Sequence, residues 1–121
     1  MAKILIVDDE ALITKSLVGN LKMLGYDICG ANNSKEAFEA LENYKPDILL
    51  LDINLREKIT GFDILKKALE LNPKTKVAIL AGGDYPVQEC LKHGVKTMIK
   101  KPVAFEKLVD IINELVKDIT A

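Results

Sequence analysis

The sequence predicts an α/β domain: one doubly wound parallel sheet built from five successive βα units. Three observations carry this. Short apolar runs alternate with segments of helical spacing five times, with no break in composition between them. Two of these runs end in acid: Ile4-Leu5-Ile6-Val7 leads into Asp8-Asp9, and Ile48-Leu49-Leu50-Leu51 into Asp52. A third, Met98-Ile99, passes through Lys100 into Lys101-Pro102. A continuous apolar run closed by a charge suits a strand covered on both faces whose last residue emerges at the sheet edge. Parallel strands require crossovers, which are right-handed and place helices on both faces.

Residues 3–8 read as the first strand. Glu10 to Leu24 follows as a helix with Ile13, Leu17, Leu21 and Leu24 on one face, and Gly25 ends it. Tyr26 to Ala31 is the second strand. Ser34 is placed to cap a helix carrying Ala37, Phe38 and Leu41. Pro46 precedes the third strand, Asp47 to Asp52, and a polar loop runs from Asn54 to Thr60. Gly61 then introduces a helix bearing Phe62, Leu65 and Leu69, which Asn72-Pro73 stops. Lys76 to Ala81 is the fourth strand, with Gly82-Gly83 as a turn. Asp84 caps a short helix holding Val87, Cys90 and Leu91, ended by Gly94. Thr97 to Lys100 is the fifth strand. In the last helix Phe105, Leu108, Val109, Ile112, Leu115, Val116 and Ile119 keep helical spacing for four turns.

Residues 1–121 fit one domain, large enough to bury a continuous core, with no linker, repeat or output domain expected. The net charge of −1 supplies no field that would draw nucleic acid or an anionic membrane. No apolar run approaches the roughly 20 residues of a membrane span. Met1-Ala2-Lys3 runs directly into the first strand, so no secretory signal is expected. Cys29 and Cys90 lie far apart without metal-type spacing, and read as reduced thiols of a cytoplasmic protein. His93 is the single histidine, which argues against a histidine-dependent catalytic triad or a zinc site.

Open sheets of this kind bind ligands beyond the carboxyl ends of the strands, where the strand order reverses. In a 2-1-3-4-5 order that point falls between the first and third strands, which end in Asp8-Asp9 and Asp52. Two carboxylates about 4 Å apart repel by roughly 4 kcal/mol at an effective dielectric near 20. Three in one crevice therefore require a proton or a cation. Lys101 supplies one positive charge, and a magnesium ion would neutralise the remainder while keeping several waters. Asp52 is a reasonable nucleophile, since carboxylates form aspartyl-phosphate intermediates. Taken singly, Asp9 could equally be a helix cap, Asp52 a turn residue and Lys101 a solvated strand end. Their joint placement at successive strand ends favours a shared site.

The segments ILIVDDE (4–10), DILLLDINL (47–55), Gly61, VAIL (77–80), HGV (93–95) and KKP (100–102) together resemble the receiver domain of two-component response regulators, over essentially the whole chain. The resemblance implies a flavodoxin-like fold and a non-enzymatic phosphorelay module. It implies phosphorylation of Asp52 by a histidine kinase or phosphotransfer protein, with Mg²⁺ bound by Asp8, Asp9, Asp52 and the backbone carbonyl of Asn54. Lys101 would contact the phosphoryl group, and its bond to Pro102 would be cis. The fourth helix, fifth strand and fifth helix would carry contacts to a downstream protein, without direct contact to nucleic acid or membrane.

The sequence departs from that family at several positions. Ala81 stands where the family usually carries Thr or Ser, and Met98 where an aromatic is usual. Leu55-Arg56 replaces an apolar–Pro pair, Lys100 an apolar residue and Val103 a frequent Phe. The backbone amide of Gly82 offers a donor to a phosphoryl oxygen where the hydroxyl is missing. These departures raise an alternative: a degenerate receiver working through protein contacts without phosphate. A phosphatase of the haloacid dehalogenase type would need a second Asp where Asn54 stands. A dinucleotide-binding domain would need a glycine-rich turn where Asp8-Asp9-Glu10 stands, and those acids would repel a pyrophosphate.

Overall fold

Five strands and five helices alternate along the chain in the computed structural model, which describes residues 2–53, 55, 60–82 and 87–120. They are β1 (Lys3–Val7), α1 (Ala11–Met23), β2 (Asp27–Ala31), α2 (Ser34–Asn43), β3 (Ile48–Asp52), α3 (Gly61–Leu71), β4 (Lys76–Gly82), α4 (Val87–Lys92), β5 (Thr97–Lys101) and α5 (Phe105–Thr120). The strands form one parallel sheet in the order β2-β1-β3-β4-β5, as the sequence predicts, leaving β2 and β5 at its edges. β1 and β3 are almost wholly apolar because both of their faces are covered.

Each strand divides its side chains between two cores. Leu5, Val7, Leu49, Leu51, Ile79 and Ala81 pack with α2, α3 and Cys90 of α4. Ile4, Ile6, Ile48, Leu50, Leu80 and Ile99 pack with Leu21 of α1 and with Leu108, Ile112 and Leu115 of α5. The layers are thus α1 and α5 on one face, and α2, α3 and α4 on the other. Burying a Leu or Ile side chain contributes roughly 1.5–3 kcal/mol, so these two clusters dominate the stability of the fold.

Local structure departs from the sequence expectations at several points. The N-cap of α1 is Glu10, with no side-chain cap bond, so Asp9 does not fill the capping position. The buried face of α1 is turned by one position: Thr14 and Leu21 are buried, whereas Ile13 and Leu24 are 39% and 58% exposed. Gly30 of β2 allows this rotation. A Cβ there would lie 2.5 Å from Cγ2 of Thr14 and 3.2 Å from Cγ2 of Val18. The buried Thr14 hydroxyl is satisfied by donating to the carbonyl oxygens of Asp8 and Glu10, both at 3.2 Å.

Asn33, not Ser34, caps α2, because its side-chain oxygen accepts the Glu36 amide at 2.8 Å. Thr60 and Asp63 form a reciprocal capping box at the start of α3. Gly61 is required there, since a Cβ would come within 2.8 Å of the Ile53 Cα. Gly82 is not a turn residue but the last residue of β4, paired in register with Lys101. β5 likewise reaches Lys101 rather than stopping at Lys100. Leu91 of α4 is exposed, while Cys90 carries its buried face. Gly25 and Gly94 adopt φ of +95° and +80°, the left-handed conformation that ends α1 and α4. Gly83 and the expected cap Asp84 lie outside the described residues. Among the described residues, no helix is long and apolar enough to cross a membrane.

Candidate functional site

The side chains that build the site follow from strand alternation. Ile6, Leu50, Leu80 and Ile99 all point into the α1/α5 core. Two residues further along the same strands come Asp8, Asp52, Gly82 and Lys101, on the same face and at the carboxyl edge of the sheet. β1 and β3 are adjacent although α1, β2 and α2 separate them in sequence, so the reversal of strand order brings their terminal acids together.

Ligand oxygens of Asp8, Asp9 and Asp52 all lie within 4.8 Å of one another. Asp8 and Asp52 are buried, and Asp9 is half-buried. The Lys101 ammonium reaches in from β5, donating to Asp8 Oδ2 at 2.8 Å and to Asp52 Oδ2 at 3.3 Å. Asp8 Oδ1 also accepts the Glu10 amide at 3.0 Å, which orients the carboxylate at the entrance of α1. Burial alone would lower the Lys101 pKa. Hydrogen bonding and charge from Asp8 and Asp52 outweigh burial and hold it above its usual value, so the side chain is cationic at neutral pH.

Glu10, which the sequence reading does not count among the site residues, places Oε1 3.8 Å from the Lys101 ammonium. Its position directly after the acid pair was the available signal. Asn54 lies outside the described residues. Ala81 is fully buried in the opposite core, and Met98 packs against that same core. The Lys101–Pro102 peptide bond is cis.

The acids open into a cleft of about 520 Å³. Asp8, Glu10, Asp52, Gly82 and Lys101 form its polar end. Ile13 and Leu17 of α1 and Val103 and Leu108 beyond β5 form an apolar continuation. Among the described residues, a Cβ at Gly82 would meet no atom within 4 Å beyond its chain neighbours, on the β4 side of the cleft.

Residues 4–113 match the family model described as "Response regulator receiver domain". The chemotaxis protein CheY of Thermotoga maritima is 33% identical over 118 residues, covering 95% of this chain and 98% of that protein. The chemotaxis protein CheY of Listeria monocytogenes is 30% identical over 121 residues, covering 97% of this chain and all of that one. A solved CheY-like receiver domain from Methanospirillum hungatei superposes with a TM-score of 0.88 at 30% identity, covering 98% of this chain and 95% of its own. The flavodoxin-like topology, the carboxyl-edge acids and these matches agree: the chain belongs to the response regulator receiver domain family of two-component systems.

Proposed function

We propose that this receiver accepts a phosphoryl group on Asp52 from a cytoplasmic histidine kinase or phosphotransfer protein and signals through protein contacts. The observation that carries this is the Lys101 ammonium bonded to both Asp8 and Asp52, with Asp9 alongside. A carboxylate oxygen of Asp52 attacks phosphorus as the bond from phosphorus to the donor breaks, and the electron pair leaves with the donor. Lys101 sits within reach of both the acceptor and Asp8, where its charge opposes the negative charge of an incoming phosphoryl group. The Gly82 amide, on the β4 side of the cleft, supports a role as a further donor to a phosphoryl oxygen.

The donor set suits Mg²⁺, a hard cation that favours few carboxylates and retains water. Asp8, Asp9 and Asp52 would hold it, with the Asn54 carbonyl as a further ligand. When bound, it supplies positive charge against the phosphoryl oxygens. The signal would leave through α4, β5 and α5 toward a downstream protein.

A second reading, constitutive contacts without phosphate, draws on Ala81. That position is fully buried and carries no hydroxyl to follow a phosphoryl group, and Met98 offers no aromatic ring beside it. Intact-mass measurement after incubation with acetyl phosphate separates the two. The acceptor reading expects one phosphoryl group in the presence of Mg²⁺, none without a divalent cation, and none on Asp52→Asn. No labelling under any of these conditions would leave the constitutive reading.

A further inference from the structure

We propose that the apolar half of the cleft beside Asp52 binds the organic group of a small acyl phosphate, so that the chain takes phosphoryl faster from longer acyl donors than from acetyl phosphate. This rests on the acceptor reading and adds a specificity to it. The cleft is chemically divided. One end holds Asp8, Glu10, Asp52 and Lys101, with the Lys101 ammonium between the acids as the group suited to a phosphoryl head. Ile13, Leu17, Pro102 and Val103 line the rest with exposed or half-buried apolar surface, backed by the buried Leu80 and Leu108. Among the described residues, the charged side chains lining this cavity of about 520 Å³ are Asp8, Glu10, Asp52 and Lys101.

The rotation of α1 creates this arrangement. Because Thr14 and Leu21 turn into the fold, Ile13 stays 39% exposed, at the lip of the cleft. Across from it, Val103 is half-buried directly after the cis proline. An apolar surface next to a charged acceptor is dehydrated when an acyl chain covers it, whereas the head remains with the polar groups. An acyl phosphate fits this division, with an anionic phosphoryl group at one end and an alkyl chain at the other.

The transfer balances without another reactant. The Asp52 carboxylate oxygen forms the new bond to phosphorus, and the bond between phosphorus and the acyl oxygen breaks. The acyl carboxylate departs with the electron pair as an anion, and no proton need move. Butyryl phosphate carries two methylenes more than acetyl phosphate. A methylene fully withdrawn from water favours binding about fourfold, and one half-covered in an open cleft about twofold. Butyryl phosphate should therefore label the chain about fourfold faster at equal subsaturating concentration.

The test measures initial rates of Asp52 labelling by intact mass, in Mg²⁺, for acetyl and butyryl phosphate. It uses the parent chain, Ile13→Ser and Val103→Phe. Ile13→Ser makes one wall polar and Val103→Phe fills the space. Both should bring the butyryl-to-acetyl ratio from about four toward one, with far-ultraviolet circular dichroism confirming the fold. Labelling by both donors at equal rates in the parent overturns the groove and leaves the acceptor role standing. A raised ratio that persists in both folded variants also overturns it. Labelling by neither donor removes the acceptor role and this specificity with it.

Discussion

Replacing Lys101 with methionine removes the ammonium while keeping most of the side-chain volume, and it isolates the charge balance of the cleft. At an effective dielectric of about 20, the 2.8 Å contact with Asp8 is worth about 6 kcal/mol and the 3.3 Å contact with Asp52 about 5 kcal/mol of attraction. The three carboxylate pairs, at separations up to 4.8 Å, each repel by about 3.5 kcal/mol or more. Attraction and repulsion are thus of similar size, so the lysine offsets much of the charge gathered by the three acids. Measured losses on breaking such buried pairs are about 3–5 kcal/mol, smaller than the Coulomb sums because a carboxylate protonates and water enters. For a chain of this size, that corresponds to a fall in Tm on the order of 10–20 °C.

Mg²⁺ should restore much of the loss, since it supplies the missing positive charge, so the Mg²⁺-induced rise in Tm should be larger in Lys101→Met than in the parent. The pH dependence gives an independent check. The folded-state pKa of Lys101 lies above its ordinary value of 10.5, so its stabilisation is complete below that value and is lost as pH rises through the raised one. The parent should show this alkaline loss and the variant should not. Thermal melts with and without Mg²⁺ at neutral pH, and urea melts from pH 9 upward, measure both. A loss under 1 kcal/mol, or a Mg²⁺ effect no greater than in the parent, would refute the charge balance.

Asp9→Ala should lose most of the Mg²⁺-induced rise in Tm, and should do so without the cost of a lost cap, because Glu10 holds the N-cap position. An undiminished rise in thermal melts would place the ion elsewhere. Ala81→Thr should destabilise by about 1–3 kcal/mol in urea melts, because it adds volume and a hydroxyl to a fully buried apolar site. Gly82→Ser, one residue on, should be within about 1 kcal/mol of the parent, since among the described residues its Cβ meets nothing within 4 Å beyond its chain neighbours; equal costs would contradict the alternation of the two faces. Gly61→Ala should cost about 1–3 kcal/mol, because the added methyl meets the Ile53 backbone at 2.8 Å and backbone yields less readily than a side chain. An unchanged urea midpoint would show that the start of α3 can shift.

The sheet was legible in the sequence because buried parallel strands leave a strong mark: an apolar run with a charge where it meets solvent. The same mark located Asp8, Asp52 and Lys101, and the β2-β1-β3-β4-β5 order of the sheet brings their ends together. Finer matters depended on information the chain does not carry locally. The rotation of α1 is set by Gly30 on a neighbouring strand, and helical periodicity could not reveal that close approach. Asn33 and Ser34 are both competent caps, and only backbone geometry decides between them. Gly82 reads as a turn by composition, yet pairing with Lys101 keeps it extended. The Thr60-x-x-Asp63 spacing is itself a local signal for the start of α3, one residue before Gly61.

The position of β5 at the end of the sheet also concerns the protein's behaviour in a crowded solution. An edge strand presents unpaired amides and carbonyls to which another chain can add, and a smooth apolar strand there invites aggregation. Lys100 interrupts β5 with an exposed charge, and the Pro102 ring that follows carries no amide hydrogen. A foreign strand extending the sheet would have to bury or displace that ammonium, and would lose a bonding partner at the proline. Lys100 therefore serves as a guard on the open border of the sheet.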